Sequence, residues 1–328
     1  MRRKTIVLVG VLALTLLMAP LVADTQQARQ VPHIGLLRLD PWAPRLHVLE
    51  AFRQELRERG YVEGQNIALV LRSAEGHAER LPDLVAEFVR IPVDIIVALA
   101  APAAQAAKHT TSTIPIVMLA GDAVGAGLVA SLARPGGNLT GVSLMSPDHV
   151  RQRLQLLKDV MPGLARVAVL WNPTNPAKAP EWREMQSAAR ALGVTLDSRE
   201  VRTVADVESA FAAMRQERPD ALLVPEDPLT IMHRTAIVAF AAEVRLPALY
   251  TIREFADAGG LMAYGPSLPA LYRRAAYYVD RLLKGSTPAE LPVEQPTQFE
   301  FVLNLKTAEA LGLTLPPHLL VFADEVLR

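Results

Sequence analysis

Apolar and polar positions alternate along this chain in two repeating rhythms. Short, nearly unbroken apolar runs at residues 34–39, 67–71, 93–99 and 114–119 are bounded by loop-forming residues, as expected for strands buried on both faces of a parallel sheet. Between them apolar residues recur at helical spacing: Leu46, Leu49, Phe52 and Leu56 before Gly60, then Leu81, Leu84, Val85 and Phe88. An alanine-rich helix follows to His109, with Pro102 in its first turn, where a missing N–H costs little. Strand and helix alternating in this way predict βα units joined by right-handed crossovers.

The same plan then starts again. RVAVLWNPTNP at residues 166–176 repeats the layout of HIGLLRLDPWAP at residues 33–44: an apolar strand, a Trp, prolines and then an amphipathic helix. In this second half the pattern predicts helices at residues 150–161, 182–192, 206–217 and 268–283, and another from 228 to about 244. Strands are predicted at 194–201, 220–224, 246–251 and 260–264. The tail reads as an extended crossover at 291–303 and a short helix at 305–311. The glycine-rich stretch at 121–141 is read as a short helix at 128–132, a turn at 134–138 and a strand at 139–144. Residues 125–130 imitate a dinucleotide fingerprint, but they follow the fourth strand rather than the first, so nucleotide binding is not expected.

The predicted fold class is α/β: two Rossmann-like, doubly wound parallel-sheet lobes with a cleft between them. Residues 24–144 and 262–291 are assigned to lobe one, and 145–261 and 292–328 to lobe two. Three segments then cross between the lobes, an arrangement that permits a hinge. A length of 328 residues suits two such cores.

Charge adds little to this picture, since 34 basic residues balance 34 acidic ones; no nucleic-acid partner is implied. The chain has no cysteine, which removes disulfides, thiolate metal sites and a lipid-anchor cysteine together. Residues 1–4 are basic, 5–18 are almost wholly apolar, and 20–23 end in Ala23 before a polar run. That is the layout of a secretory signal cleaved after Ala23; a retained membrane anchor is the alternative, and the apolar run falls short of the ~20 residues of a membrane span. A periplasmic protein without a lipid anchor is expected.

Open α/β sheets bind ligands beyond the carboxyl ends of their strands, which nominates loops 38–44, 100–104, 120–127, 171–176, 225–229 and 251–257. Ala101, Ala103 and Ala104 open a helix with small side chains, where backbone amides and the dipole favour an anion by ~0.3 to 2 kcal/mol. A ligand carboxylate fits there, as does a tightly packed helix entry. Trp42 and Trp171 offer rings for stacking, with core or hinge packing as the alternative. Asp122, Glu226 and Asp227 follow strands and can accept from an ammonium or hydroxyl, although the proline-flanked Glu226 and Asp227 also suit a helix N-cap. Arg38 suits a carboxylate or a salt bridge. Asn172, Tyr250 and Tyr264 complete the expected ligand set, with Tyr264 near the hinge. Seven histidines show no metal-ligand spacing, and neither a nucleophile elbow nor a P-loop occurs. No catalytic residue, metal or cofactor is therefore expected.

Three long segments resemble a known family: SLARPGGNLTGVS (131–143), GGLMAYGPSLPALYRRAAYYVDRLLKG (259–285) and LPVEQPTQFEFVLNLKTAEALGLTLPPHLLVFADEV (291–326). They are similar to hallmark segments of the ABC transporter substrate-binding proteins whose relatives include tryptophan- and tyrosine-binding members. The resemblance implies a type I periplasmic-binding-protein fold with three hinge crossovers and a small ligand trapped by lobe closure. Asp122-Ala123-Val124 departs from the family's usual Asp-Pro-Val. The function expected is a monomeric periplasmic receptor that captures an amino acid or similar carboxylate and presents it to a membrane permease and its ATPase. A two-lobed cleft enzyme, with Asp122 and Glu226 as an acid–base pair, and a ligand sensor for a membrane signalling partner are the alternatives.

Overall fold

The computed structural model describes residues 31–144 and 147–328, and the predicted leader lies outside them. The first lobe is built on strands β1 (His33–Arg38), β2 (Ala68–Ser73), β3 (Ile95–Leu99), β4 (Ile116–Ala120) and β5 (Leu139–Ser143), in the order β2-β1-β3-β4-β5. All of its pairings are parallel. Helices Leu81–Arg90 and Ala101–Thr110 cover one face, and Leu46–Glu58 and Leu268–Leu283 the other. Both faces are therefore buried, which is why β3 and β4 read as continuous apolar runs rather than alternating ones.

The second lobe is a seven-stranded sheet of β6 (Arg166–Trp171), β7 (Thr195–Glu200), β8 (Ala221–Val224), β9 (Ala248–Tyr250), β10 (Met262–Pro266), β11 (Phe299–Asn304) and β12 (Glu325–Leu327). Their order is β12-β11-β10-β9-β8-β6-β7. Helices Pro147–Val160 and Lys178–Leu192 pack on one face, and Val204–Glu217 and Arg234–Glu243 on the other. Gly193 ends its helix at φ 67, as the periodicity predicts.

Three details differ from the sequence pattern. Residues 128–132 form no helix: Gly127 takes φ 67, and the amides of Leu128 and Val129 both turn back onto the Ala123 carbonyl. The return to the first lobe starts at Ser267 and not at 262, because β10 pairs with β9 in the second sheet before the helix Leu268–Leu283 packs on the first. The sheet also ends in a mixed edge. Residues 291–294 stay with the first lobe, and β11 then enters from the crossover side, so it runs antiparallel to β10, with Phe299 opposite Pro266.

The crossing segments are tied to one another by backbone bonds. Ser143 N–H donates to the Glu294 carbonyl (2.8 Å), Glu294 N–H to Gly141 (3.0 Å) and Ser267 N–H to Gln298 (3.0 Å). Gly141 also lies close against the adjacent strand β4: it has φ 133, and a Cβ would lie 2.1 Å from the Met118 carbonyl oxygen. Gly141→Ala is expected to lower the free energy of unfolding by at least ~2 kcal/mol, read as a drop in denaturation midpoint; an unchanged midpoint would contradict this packing.

Candidate functional site between the lobes

In each sheet the strand order reverses once, between β1 and β3 in the first and between β6 and β8 in the second. Loops leaving such neighbouring strands diverge to opposite faces and leave a crevice at their carboxyl ends. The two crevices meet. Arg38, Asp40 and Ala100 of the first lobe and Glu226 of the second line one cavity, whose apolar wall includes Leu119, Ile231, Leu271 and Tyr272. An adjoining cavity shares Leu144 and Glu226 and is lined also by Gly121, Arg153, Lys178, Glu181 and Thr251.

The charged groups around these cavities are buried and mostly paired. Arg38 holds Asp40 through two bonds of 3.1 and 2.5 Å, and its guanidinium lies 4.9 Å from the centre of the Trp42 ring. Arg45 of the first lobe reaches Glu254 of the second at 2.6 Å, with His47 3.5 Å from the same oxygen. Burial works against the Glu254 charge, but His47 and Arg45 outweigh it and hold that carboxyl below its ordinary value. Arg153 and Lys178 clamp Glu181 from two sides, at 3.0 and 2.7 Å. Burial opposes the Lys178 ammonium, yet Glu181, Glu226 and Asp227 overcome it and raise its pKa.

Glu226 is the exception. Its nearest cation is Lys178 at 3.8 Å, already engaged with Glu181, and burial together with the neighbouring Asp227 and Glu181 raises its pKa against the pull of Lys178. Other polar atoms beside the cleft have no hydrogen-bond partner: Arg38 Nη1, Thr251 Oγ1 and Glu254 Oε2. A buried donor or acceptor left in this state costs about 1 to 3 kcal/mol. Ala100 adds backbone strain, at φ 76 and ψ 156, a region nearly confined to glycine. Strained backbone, unpaired donors and an under-neutralised carboxylate thus converge on one interlobe space.

Of the residues nominated from sequence, Arg38 and Glu226 line this space. Trp42 sits beside it, stacked on Arg38 and donating through Nε1 to the Arg72 carbonyl at 3.2 Å. Ala101, Ala103 and Ala104 are packed into the first lobe's core. The Ala104 amide already donates to the Ala100 carbonyl, 3.1 Å away, so it is not free as expected, and Ala100 takes their place at the cavity wall. Asp122 folds over its own turn, accepting from Gly125 N–H at 2.8 Å.

In the second lobe, Trp171 turns into the core, stacked on Trp182 with ring centres 5.3 Å apart and bonded to Ser198. Asn172 and Asp227 form a scaffold: Asp227 caps the helix Pro228–Met232 through Leu229 N–H and is held by Asn172 and Asn175. Tyr250 is wholly buried against Phe255, and its hydroxyl, without a partner, has its pKa raised by burial. Tyr264 lies 3.1 Å from His149 Nδ1 through its hydroxyl, within the core of the second lobe. Alternation explains these misplacements, because residues at the end of a fully buried strand point to one helix layer or the other as readily as to the cleft. Sequence reasoning missed Lys178, Glu181 and Arg153. The available signal was the Lys178-x-x-Glu181 spacing just after the NPTNP loop, which puts opposite charges on one helical face.

The lobes meet around the cleft. A Cβ at Gly121 would lie 2.7 Å from Ala177 Cβ, and Ala177 packs with the first lobe's apolar cluster. Among the described residues no group of three or more His, Asp or Glu is placed to hold a metal ion.

A family model described as ABC transporter substrate binding protein matches residues 44–327. The chain belongs to that family. It is 27% identical over 266 residues to a tyrosine-binding protein of Clostridioides difficile, covering 80% of this chain and 76% of that protein. Among solved structures, an ABC domain from Streptococcus pneumonia in complex with L-Trp shares 26% identity and a TM-score of 0.85, covering 90% of this chain and 99% of that one. A conserved domain protein from Vibrio cholerae gives 28% and 0.84, covering 90% and 100%. A ligand-free, open substrate binding protein from Clostridium difficile fits less closely, at 25% and 0.65 over 88% and 97%. The fold is the type I periplasmic-binding-protein fold shared by these neighbours, and the family's members are substrate-binding proteins.

The raised pKa of Glu226 carries a sign. Its ionised form is disfavoured in the folded state, so the fold loses stability as pH rises through the carboxylate range. Glu226→Gln is expected to raise the unfolding midpoint at pH 7, with the gain shrinking toward about pH 4; a midpoint equal to or below the parent's at pH 7 would contradict the assignment.

Proposed function

We propose that this substrate-binding protein is the solute receptor of an ABC importer, working outside the cytoplasmic membrane with a permease and its ATPase, and that its ligand is an amino acid or a closely similar carboxylate. The observation that carries the reading is the pair of complementary polar groups on opposite walls of one cavity: Arg38, with a buried Nη1 lacking a partner, and Glu226, without a close cation of its own. A ligand carboxylate satisfies Arg38, and an ammonium satisfies Glu226. Thr251 and Glu254 Oε2 offer further acceptors, and the Leu119, Ile231, Leu271 and Tyr272 wall accepts an apolar side chain.

Because the two groups come from different lobes, a zwitterion bridges the cleft and favours the shut arrangement, whereas an empty cleft leaves Arg38 Nη1 without an acceptor and Glu226 with only Lys178 at 3.8 Å. A micromolar dissociation constant amounts to about 8 kcal/mol, within reach of these charge-assisted bonds. The tyrosine and L-Trp named for the relatives are amino acids, which supports the ligand class. A leader at residues 1–23 fits export, and among the described residues no helix is long and apolar enough to cross a membrane.

Thermal-shift screening of the L-amino acids against sugars and small neutral solutes tests the ligand class, since a ligand that binds the native state raises the midpoint by mass action. An amino acid is expected to score and to be recovered chemically unchanged; a response confined to sugars, or a transformed solute, would sink the reading. Calorimetry on Arg38→Ala and Glu226→Gln is expected to show at least about tenfold weaker binding of that amino acid in each.

The clamp itself is tested at Gly121, which contacts the opposite lobe. Gly121→Val is expected to leave each lobe folded, by circular dichroism, and to weaken binding at least about tenfold by holding the lobes apart. Parental affinity in that variant would mean that lobe contact is not required.

A further inference from the structure

The second lobe carries another cavity, of about 440 Å³, at the amino ends of β8 and β9, the opposite end of the sheet from the cleft. Its wall is basic. Arg215, Arg218 and Arg245 line it, with Asp220 as the single carboxylate. Asp220 is tied to the neighbouring strand through Oδ2, which accepts from the amides of Ala165 and Arg166 at 3.0 and 2.8 Å. Arg215 is paired with both oxygens of Glu243 and stacked on Phe240. Arg218 and Arg245 have no carboxylate partner among the described residues.

The backbone at these two arginines is unusual as well. Arg218 has φ 47 and Arg245 φ 53, each just beyond the end of a helix. Glycine takes such left-handed positions without steric cost, and the chain uses Gly193 and Gly312 for the same purpose elsewhere. Met214 and Leu246 are buried beneath, and Pro219, Val244 and Pro247 complete an apolar lining. The volume falls within the roughly 300 to 1,000 Å³ of small-molecule sites.

We infer that this cavity is a second ligand site, distinct from the interlobe cleft, which takes a monoanion with an apolar body, an alkyl or aryl carboxylate, its head group paired with Arg218 and Arg245 over the Met214 and Leu246 floor. The inference does not depend on the identity of the cleft ligand. A carboxylate there gains two guanidinium partners that have none of their own, while its apolar part covers the half-buried Val244 and Pro247.

The test uses octanoate as probe and 1-octanol as its uncharged counterpart, with binding followed by backbone amide NMR and calorimetry on the full chain. Octanoate is expected to shift the amides of Arg218, Asp220 and Arg245 and to leave those of Ala100 and Glu226 unmoved; octanol is expected to bind at least about tenfold more weakly. Arg218→Gly and Arg245→Gly keep the left-handed turns and remove the charge, so each is expected to weaken octanoate about tenfold or more with a melting temperature held or raised. Shifts confined to the cleft amides, equal binding of octanol, or parental octanoate affinity in both glycine variants would overturn the site.

Discussion

Charge buried at the junction of two sheets is the constraint on which this molecule turns. Ending two sets of parallel strands at one interface places their connecting loops out of water, and any ionised side chain there must find a partner or shift its titration. Lys178 answers most of that demand in the second lobe, lying against Glu181 and within reach of Glu226, while Arg153 takes the other oxygen of Glu181. In the first lobe the Arg38–Asp40 and Arg45–Glu254 pairs do the same, the second of them across the interface. What these pairs leave over, a carboxylate on one wall and a guanidinium nitrogen on the other, is a charge pattern complementary to a zwitterion.

The crossing segments explain how such a junction is kept in register. Three passages of chain lie side by side and are joined by backbone bonds at Ser143, Glu294, Ser267 and Gln298. Gly141 and Gly265 let neighbouring backbone approach at distances no side chain tolerates, 2.1 Å to Met118 and 1.8 Å to Thr251 from a built Cβ. The seam is therefore held by backbone bonds between strands that each pack tightly in their own sheet, and the loops that line the cleft hang from it on both sides.

Much of the architecture could be read along the chain, because a doubly wound lobe leaves a double signature: fully apolar strands and helices with one apolar stripe. The strand from His33, the helix Leu268–Leu283 and the halves that each restart with an apolar strand and a Trp were all visible in this way. The placement of β10 and the antiparallel β11 was not. Hydrophobic period identifies a strand but carries no information about which sheet it joins, and that choice rests on backbone pairing between segments distant in sequence.

The candidate site divides along the same line. From residue order alone follow the βα alternation, the loops at strand ends, and Arg38 and Glu226 as charged groups on those loops, since each stands one or two positions from the end of an apolar run. Only the tertiary structure decided that Trp171 and Tyr250 face cores, that Ala100 and not its successors borders the cavity, and that Asp227 caps a helix while Glu226 beside it remains open. The physical reason is that a side chain's direction at the end of a strand is set by a few degrees of backbone rotation and by which neighbour satisfies its polar atoms. Both are properties of contacts between elements far apart in the chain, and no local pattern encodes them.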